Sequence, residues 1–322
     1  MISKTISVSG SVHVRLDKFL IPELPDYSRS QIQAFIRTGC ILVDDKQVKP
    51  GYNLAGTEKI SCSLPEKTTP PDTIIPEKIP LEILFEDEYL IIINKQPGLA
   101  VHPGTGKPSG TLVNGLVYYF NKLSDLNGAL RPGIVHRLDE NTSGVLLVAK
   151  NNFIHRKLAG QFEHRQIEKT YSGVTWGCWE EKEGVIDQPV KRDSNDPRKY
   201  KVAADGKPAI TYYKVLSENR YLSEVEFYPK TGRTHQIRVH AAYKNHPIFA
   251  DEKYGGGLNK TRGFLPEVAS RLKNMHRAIG RHALHARRLK FIHPETMQPF
   301  EIEASLPKDF STLLKEMKQL DV

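Results

Sequence analysis

A run of prolines divides this chain in two. Five of them stand between Pro65 and Pro80, with Thr and charged residues between and no apolar periodicity. Proline fixes φ and removes a backbone donor, so such a stretch forms neither a helix interior nor a central strand. The residues on its two sides must therefore pack separately. The pattern predicts a module over residues 1–64, a semi-extended linker over 65–80 and a larger domain over 81–322, long enough for a sizeable core.

In the first module, residues 1–12 are polar and β-branched and read as a short strand or arm. Residues 14–21 carry apolar side chains at helical spacing and then meet Pro22 and Pro25, which stop a helix. Ser28 is a candidate N-cap. Ile32, Phe35 and Ile36 line one face of a second helix that also carries Arg29 and Arg37, with Gly39 as its C-terminal cap. Residues 41–43, 44–46 and 47–48 read as strand, turn, strand.

In the larger domain, Leu90 to Ile93 and Val145 to Ala149 are short, continuous apolar runs, the signature of buried central strands. The turn formers Asn141, Thr142, Ser143 and Gly144 precede the second run. Asp139 therefore sits on a loop feeding a core strand, reachable and firmly held. Helices are expected at 111–120, with Leu112, Leu116 and Tyr119 on one side, at 153–165, after the turn near 231, and at 310–320. Strands are expected at 169–176, 210–216, 222–228, 284–292 and 300–304. Strands in runs with few βαβ alternations predict an α+β domain on a mixed, mostly antiparallel sheet.

Composition narrows the function. The chain has 46 Lys or Arg against 37 Asp or Glu, a net charge of +9. Residues 255–293 hold nine of the cations and one Glu, so nearly all the excess lies there. A clustered basic segment fits a polyanion partner, and Arg271, Lys273, Arg277 and Arg281 are its candidate phosphate contacts. Cys40, Cys62 and Cys178 are far apart with no Cys-x-x-Cys, which argues for a reducing compartment, the cytoplasm, and against disulfides or zinc. No window approaches a membrane span, and no signal peptide is visible at the start. The glycine-rich loop from His102 to Gly110 fails both nucleotide patterns. Pro108 follows Lys107 where a P-loop needs Ser or Thr, and Ser109 takes the place of a dinucleotide fold's third glycine. It is kept as a substrate-side lid. His102, His136, His235 and His240 have no metal-ligand spacing, so no metal is expected.

Four segments carry a family resemblance. His136-Arg-Leu-Asp139 with Thr142-Ser-Gly144 resembles the central motif of the RluA-type pseudouridine synthases. The stretch from Asp87 through Lys95 to His102 is similar to that family's first segment, Lys169-Thr-Tyr171 to its tyrosine motif, and Thr231 to His240 to its third motif. The first module, with Arg15-Leu-Asp-Lys-Phe-Leu20 near its start, resembles the small alpha-L RNA-binding module of ribosomal protein S-four. That module usually has Asn-Gly at its turn; here it is Asp44-Asp45.

The resemblance implies an isomerase that breaks the C1′–N1 bond of a uridine, turns the uracil and rejoins it through C5. The reaction involves no redox change, so no cofactor is expected. It needs one ionised carboxylate near C1′ and C6, as nucleophile or stabiliser of a cationic sugar, and a buried carboxylate ionises only beside a cation. The resemblance assigns these roles to Asp139 and Arg238, with bidentate bonding between them, and makes Arg233 the reserve. Tyr171 would stack on the uracil and act on the C5 proton. The target must leave its stack, and Arg137 would fill the space or hold the flipped nucleotide; its alternative is a structural partner of Asp139. His102 and Arg233 would contact substrate, with Arg29 and Arg37 binding RNA from the first module. The partner implied is ribosomal RNA or the assembling large subunit, on the pattern of the RluD-type enzymes, with the protein a monomer. A synthase acting on transfer RNA and a non-catalytic assembly factor are the alternatives.

Overall fold

The computed structural model describes residues 2–10, 14–24, 27, 29–64, 74–104, 106–128 and 130–320. The chain divides into two compact units, residues 1–71 and 72–322. Pro25, Ser28 and residues 65–73 of the expected linker lie outside the described residues.

The first unit runs β1 (Ile2–Ser7), α1 (Leu16–Glu23), α2 (Arg29–Arg37), β2 (Ile41–Val43) and β3 (Lys59–Leu64). β3 lies between β1 and β2, antiparallel to both. Leu16 and Leu20 of α1 and Ile32 and Ile36 of α2 are buried with Ile41, Ile60 and Leu64 of the sheet, the burial expected of two amphipathic helices. Asp44 and Asp45 both take positive φ, 46° and 60°, and Val43 and Lys46 exchange backbone hydrogen bonds across them. The tight turn therefore forms without glycine, held by Lys59 N–H donating to Asp44 Oδ1 at 2.9 Å.

Three local expectations need correction. Helix α1 runs through Pro22 to Glu23; Pro22 falls in the last turn, where its missing N–H removes a single intrahelical bond. Residues 47–48 form no strand: β2 is paired with β3 instead, and the Gln47 amide donates to the Arg37 carbonyl at 2.6 Å. Arg29 is not a free cation. It donates to the fully buried Asp17 at 2.8 Å, as do Arg15 at 3.0 Å and Gln33 at 2.6 Å. Burial pushes the Asp17 carboxyl up, but the bonds from Arg29, Gln33 and Arg15 outweigh it and hold it well below the carboxylate range.

The second unit contains β4 (Glu82–Glu86), β5 (Leu90–Lys95), α3 (Leu112–Tyr119), β6 (Ser143–Ala149), α4 (Asn152–Glu163) and β7 (Glu168–Trp176). Then come β8 (Glu183–Asp187), β9 (Val190–Arg192), β10 (Tyr200–Val202), β11 (Ile210–Glu218), β12 (Leu222–Pro229) and α5 (Gln236–Tyr243). The chain closes with α6 (Pro266–Ile279), β13 (Leu284–Ile292), β14 (Pro299–Glu303) and α7 (Lys308–Lys318). Nine strands form one sheet in the order β4-β5-β6-β13-β7-β12-β11-β8, with β14 also on β13. Every pairing is antiparallel except β6 with β13. The α+β expectation is borne out. Residues 74–80 run along α3: Glu77 N–H donates to the Asn114 carbonyl, and the Asn114 side chain to the Ile75 carbonyl. Tyr119, expected on the packed side of α3, is 45% exposed, while Leu112, Val113 and Leu116 are buried.

The sheet forks at β13. Near its start, His285 and Ala286 pair in parallel with Ser143 and Gly144 of β6, whereas residues 288–292 pair with β14. At the fork Gly144 has φ +113°, and a Cβ there would lie 2.1 Å from the Ala286 carbonyl oxygen. Only glycine lets β6 start this close to β13, and that approach sets where the preceding Asp139 loop stands.

Candidate active site

The Asp139 loop is clamped from several sides. Lys95 at the end of β5 is buried, and its Nζ donates to the carbonyls of Gln96 (2.9 Å), Leu99 (3.0 Å) and Glu140 (2.9 Å). Arg281 donates to the Asn141 carbonyl at 3.1 Å and to Asp309 at 2.7 Å. Thr142 Oγ1 and Ser143 Oγ are hydrogen-bonded to His282 at 2.8 Å and His285 at 2.9 Å. Burial pushes His282 down to about 3 and His285 to about 4, so both are neutral partners at physiological pH.

Asp139 faces Arg238, which projects from the first turn of α5. Arg238 Nη1 donates to Asp139 Oδ2 at 2.9 Å. Its Nε and Nη2 donate to Asp251 at 2.7 and 2.8 Å. The bidentate partner is therefore Asp251, and Asp139 receives one bond, which corrects the expected geometry. A guanidinium fixed by its inner carboxylate presents its remaining edge in one orientation. Its carbon lies 5.0 Å from the Tyr254 ring centroid, close enough for a cation–π contact.

Burial pushes the Asp139 carboxyl up, yet nearby cations and the Arg238 bond bring it below the ordinary value. His235 would assist as an imidazolium, its Nε2 being 3.9 Å from Asp139. Burial holds His235 itself to about 4, so at neutral pH Arg238 is the effective cation. His235 takes a left-handed φ of 57° just before α5, and its Nδ1 is hydrogen-bonded to the Tyr254 hydroxyl at 2.6 Å. That oxygen also accepts from Tyr200 N–H at 3.0 Å. The Gln236 amide accepts from Thr231 Oγ1 and Arg233 N–H and donates to the Ile210 carbonyl and Thr211 Oγ1, which fixes the turn to β11.

Asp139, Thr231, Arg233, His235, Gln236 and Arg238 line a cavity of about 520 Å³. Tyr171 of β7 lies in its wall with Asp139, Arg238 and His235. Burial, and after it the Asp139 charge, push the Tyr171 phenol well above its ordinary range, so it is a neutral O–H at physiological pH. The exposed Arg137 and Arg233 also line the cavity. Arg137 has no hydrogen bond or ion pair among the described residues, and Arg233 Nε donates to the Pro208 carbonyl at 3.1 Å. Asp139's structural partner is thus Arg238 and not Arg137.

Comparison with known proteins gives the arrangement its context. Residues 89–243 match the RNA pseudouridylate synthase family, and residues 14–60 the S4 domain. The chain is 37% identical over 307 residues to ribosomal large subunit pseudouridine synthase D of Escherichia coli, covering 94% of this chain and 90% of that one. It is 35% identical over 305 residues to the Xanthomonas campestris protein of the same name, covering 95% and 89%.

The chain belongs to the RNA pseudouridine synthase family. The solved structure of human RNA pseudouridylate synthase domain containing 4 matches with a TM-score of 0.57 at 26% identity, over 74% of this synthase and 93% of that chain.

Asp139, Tyr171, Arg238, Arg137 and Arg233 meet at one cavity of the synthase. His102 does not line it; half-buried, it is hydrogen-bonded to the Pro103 carbonyl at 3.0 Å. His136 accepts from Leu147 N–H at 2.9 Å, and His240 is bonded to Thr211 and the Gln188 carbonyl. Both are structural. Sequence reading missed Asp251, Lys95, His282 and the His235–Tyr254 pair. Asp251 had a signal: it directly follows the apolar Ile248-Phe249-Ala250, and a carboxylate buried with such a run needs a cation.

Arg281 is a correction. It is only 7% exposed, spent on Asp309 and on loop carbonyls, and therefore cannot meet phosphate. Arg271, Lys273 and Arg277 of α6 and Arg37 of α2 are exposed. Neutralising the three on α6 together is expected to flatten the slope of log affinity against log salt by roughly two units, at about 0.7–0.9 per phosphate contact. Filter binding across a salt series measures it. An unchanged slope would assign the affinity to the first unit, with Arg37 the next residue to replace.

Proposed function

We propose that this synthase isomerises uridines of large-subunit ribosomal RNA, with Asp139 as its catalytic carboxylate. The observation that carries the assignment is the Arg238–Asp139 pair at 2.9 Å in the wall of the cavity, a half-buried carboxylate beside a fixed cation. The names of the Escherichia coli and Xanthomonas campestris relatives support ribosomal RNA as the partner.

The flipped uridine enters the cavity with C1′ toward Asp139. The C1′–N1 bond breaks, the carboxylate bonds to or stabilises the electron-poor C1′, and the uracil turns. C5 then bonds to C1′ as the carboxylate leaves it, and C5 loses its proton while N1 gains one. Arg238 holds the carboxylate on one oxygen and leaves the other for the sugar. Tyr171 offers a flat ring for stacking. Tyr171 is a neutral O–H, so it takes the C5 proton only by passing its own proton on toward N1. That transfer comes last, after C5 has bonded to C1′. Arg137, exposed at the rim, takes the place of the extruded base or holds the nucleotide.

Two experiments test this. Pseudouridine mapping of ribosomal RNA from cells with and without the protein should show sites lost in the large subunit; an identical map rejects the substrate. With 5-fluorouridine at a mapped site, fluorine blocks loss of the C5 proton. The expected result is a long-lived complex on a denaturing gel or a rearranged, hydrated product by mass spectrometry. Release of unaltered RNA at saturating enzyme would count against the mechanism.

A further inference from the structure

A second cavity, of about 550 Å³, adjoins the first and shares Lys169, Pro229 and Lys230 with it. The chemistry described so far makes no use of it. Two tyrosines form part of its wall: Tyr212 of β11 and Tyr228 of β12 stand directly opposite each other in the antiparallel register. On β12, Val225 and Phe227 enter the core, while Tyr228 alternates to the other face. Tyr212 is 45% exposed. The Tyr228 hydroxyl donates to the Glu226 carboxylate at 2.5 Å, which fixes the ring.

Lys169, Lys230 and Lys290 have no carboxylate partner among the described residues. Lys230 Nζ lies 6.0 Å from the Tyr212 ring centroid. Half-buried Lys169 has no side-chain hydrogen bond or ion pair among the described residues. Burial and the charge of Lys230 push it down to about 8, so two repelling cations line the boundary of both cavities. Arg288 and Lys290 line the far side. Of the acids there, Glu301 is paired with Arg288 at 3.4 Å, and Glu168 is exposed.

We propose that this second cavity is a subsite for one unpaired nucleotide adjoining the uridine under reaction. The base stacks on the Tyr212–Tyr228 pair, and the phosphate joining the two nucleotides lies between Lys169 and Lys230. The proposal rests on RNA being the substrate of the first cavity. A strand occupying both must pass the residues that both share. Aromatic rings beside cations accept any base by its flat face, so the subsite supplies affinity with little sequence preference.

The test uses the full-length protein and pentaribonucleotides with a central uridine and 2-aminopurine on one side or the other. Stacking should quench the fluorescence of one of the two probes. Tyr212→Ala and Tyr228→Ala should each abolish the quench and weaken binding by roughly tenfold, whereas Tyr212→Phe should keep both. On a large-subunit ribosomal RNA transcript, the alanine variants should raise KM and leave kcat within about twofold, because neither ring lines the first cavity. Undiminished quench and affinity in Tyr212→Ala, with wild-type circular dichroism, would overturn the subsite, and so would equal loss in Tyr212→Phe. Tyr212 decides the matter alone if Tyr228→Ala fails to fold. If wild type turns over no ribosomal RNA, the proposed function fails, while the quench still reports whether the subsite takes a base.

Discussion

Asp139→Asn is expected to leave a folded, RNA-binding protein whose isomerisation rate falls at least about a thousandfold, roughly 4 kcal/mol of barrier. The substitution keeps the shape of the side chain and an oxygen for the Arg238 bond at 2.9 Å. It removes the charge proposed to meet C1′. Folding tolerates the change because Arg238 keeps its two bonds to Asp251 and is never left as an unpaired buried cation. Single-turnover assays on a ribosomal RNA transcript, with filter binding and thermal melting alongside, separate the two effects. Activity within tenfold of wild type would remove Asp139 from the chemistry.

Arg238→Met is expected to cost both activity and stability. It strips the cation from two carboxylates, Asp139 and the almost fully buried Asp251, and breaking a buried pair costs about 3–5 kcal/mol. The pH dependence should reverse. In wild type the Asp139 pKa lies below its ordinary value. The stability it contributes is complete above that value and is lost as pH falls through the depressed one. Without Arg238, burial dominates and raises the carboxyl, so the variant should gain stability as pH falls from neutral toward the ordinary carboxylate range, when wild type does not. Thermal melts across that range measure the difference. Adding Asp251→Asn should restore much of the stability and none of the activity. Parallel pH profiles for wild type and the single variant would mean that Arg238 does not hold the Asp139 charge.

The elements were legible where local pattern and tertiary demand agree. The apolar run at Val145 to Ala149 became a strand buried at every position, and the alternation from Leu222 became a half-buried strand. β3 was missed although Ile60, Cys62 and Leu64 alternate, because polar neighbours dilute so short a run. The basic segment was legible as composition, but composition does not distinguish a cation facing solvent from one spent indoors. Arg277 is exposed and Arg281, four residues on, is buried against Asp309 and loop carbonyls.

By itself the sequence determined that Asp139 sits on a short loop feeding a core strand, and that motifs far apart in the chain resemble those of one family. Hydrophobic period and turn chemistry act over a few residues, and the motifs carry their residue types with them. Only the tertiary structure decided which charges pair. Arg238 stands 99 residues from Asp139 and 13 from Asp251, and it takes Asp251 with two bonds and Asp139 with one. That choice rests on where β10, β11 and β12 hold α5 and on where the β6–β13 fork places the Asp139 loop. The fork in turn depends on Gly144 lying against the Ala286 carbonyl, a contact between residues 142 positions apart. No local pattern encodes such a distance; it exists only when the packed sheet brings both strands together.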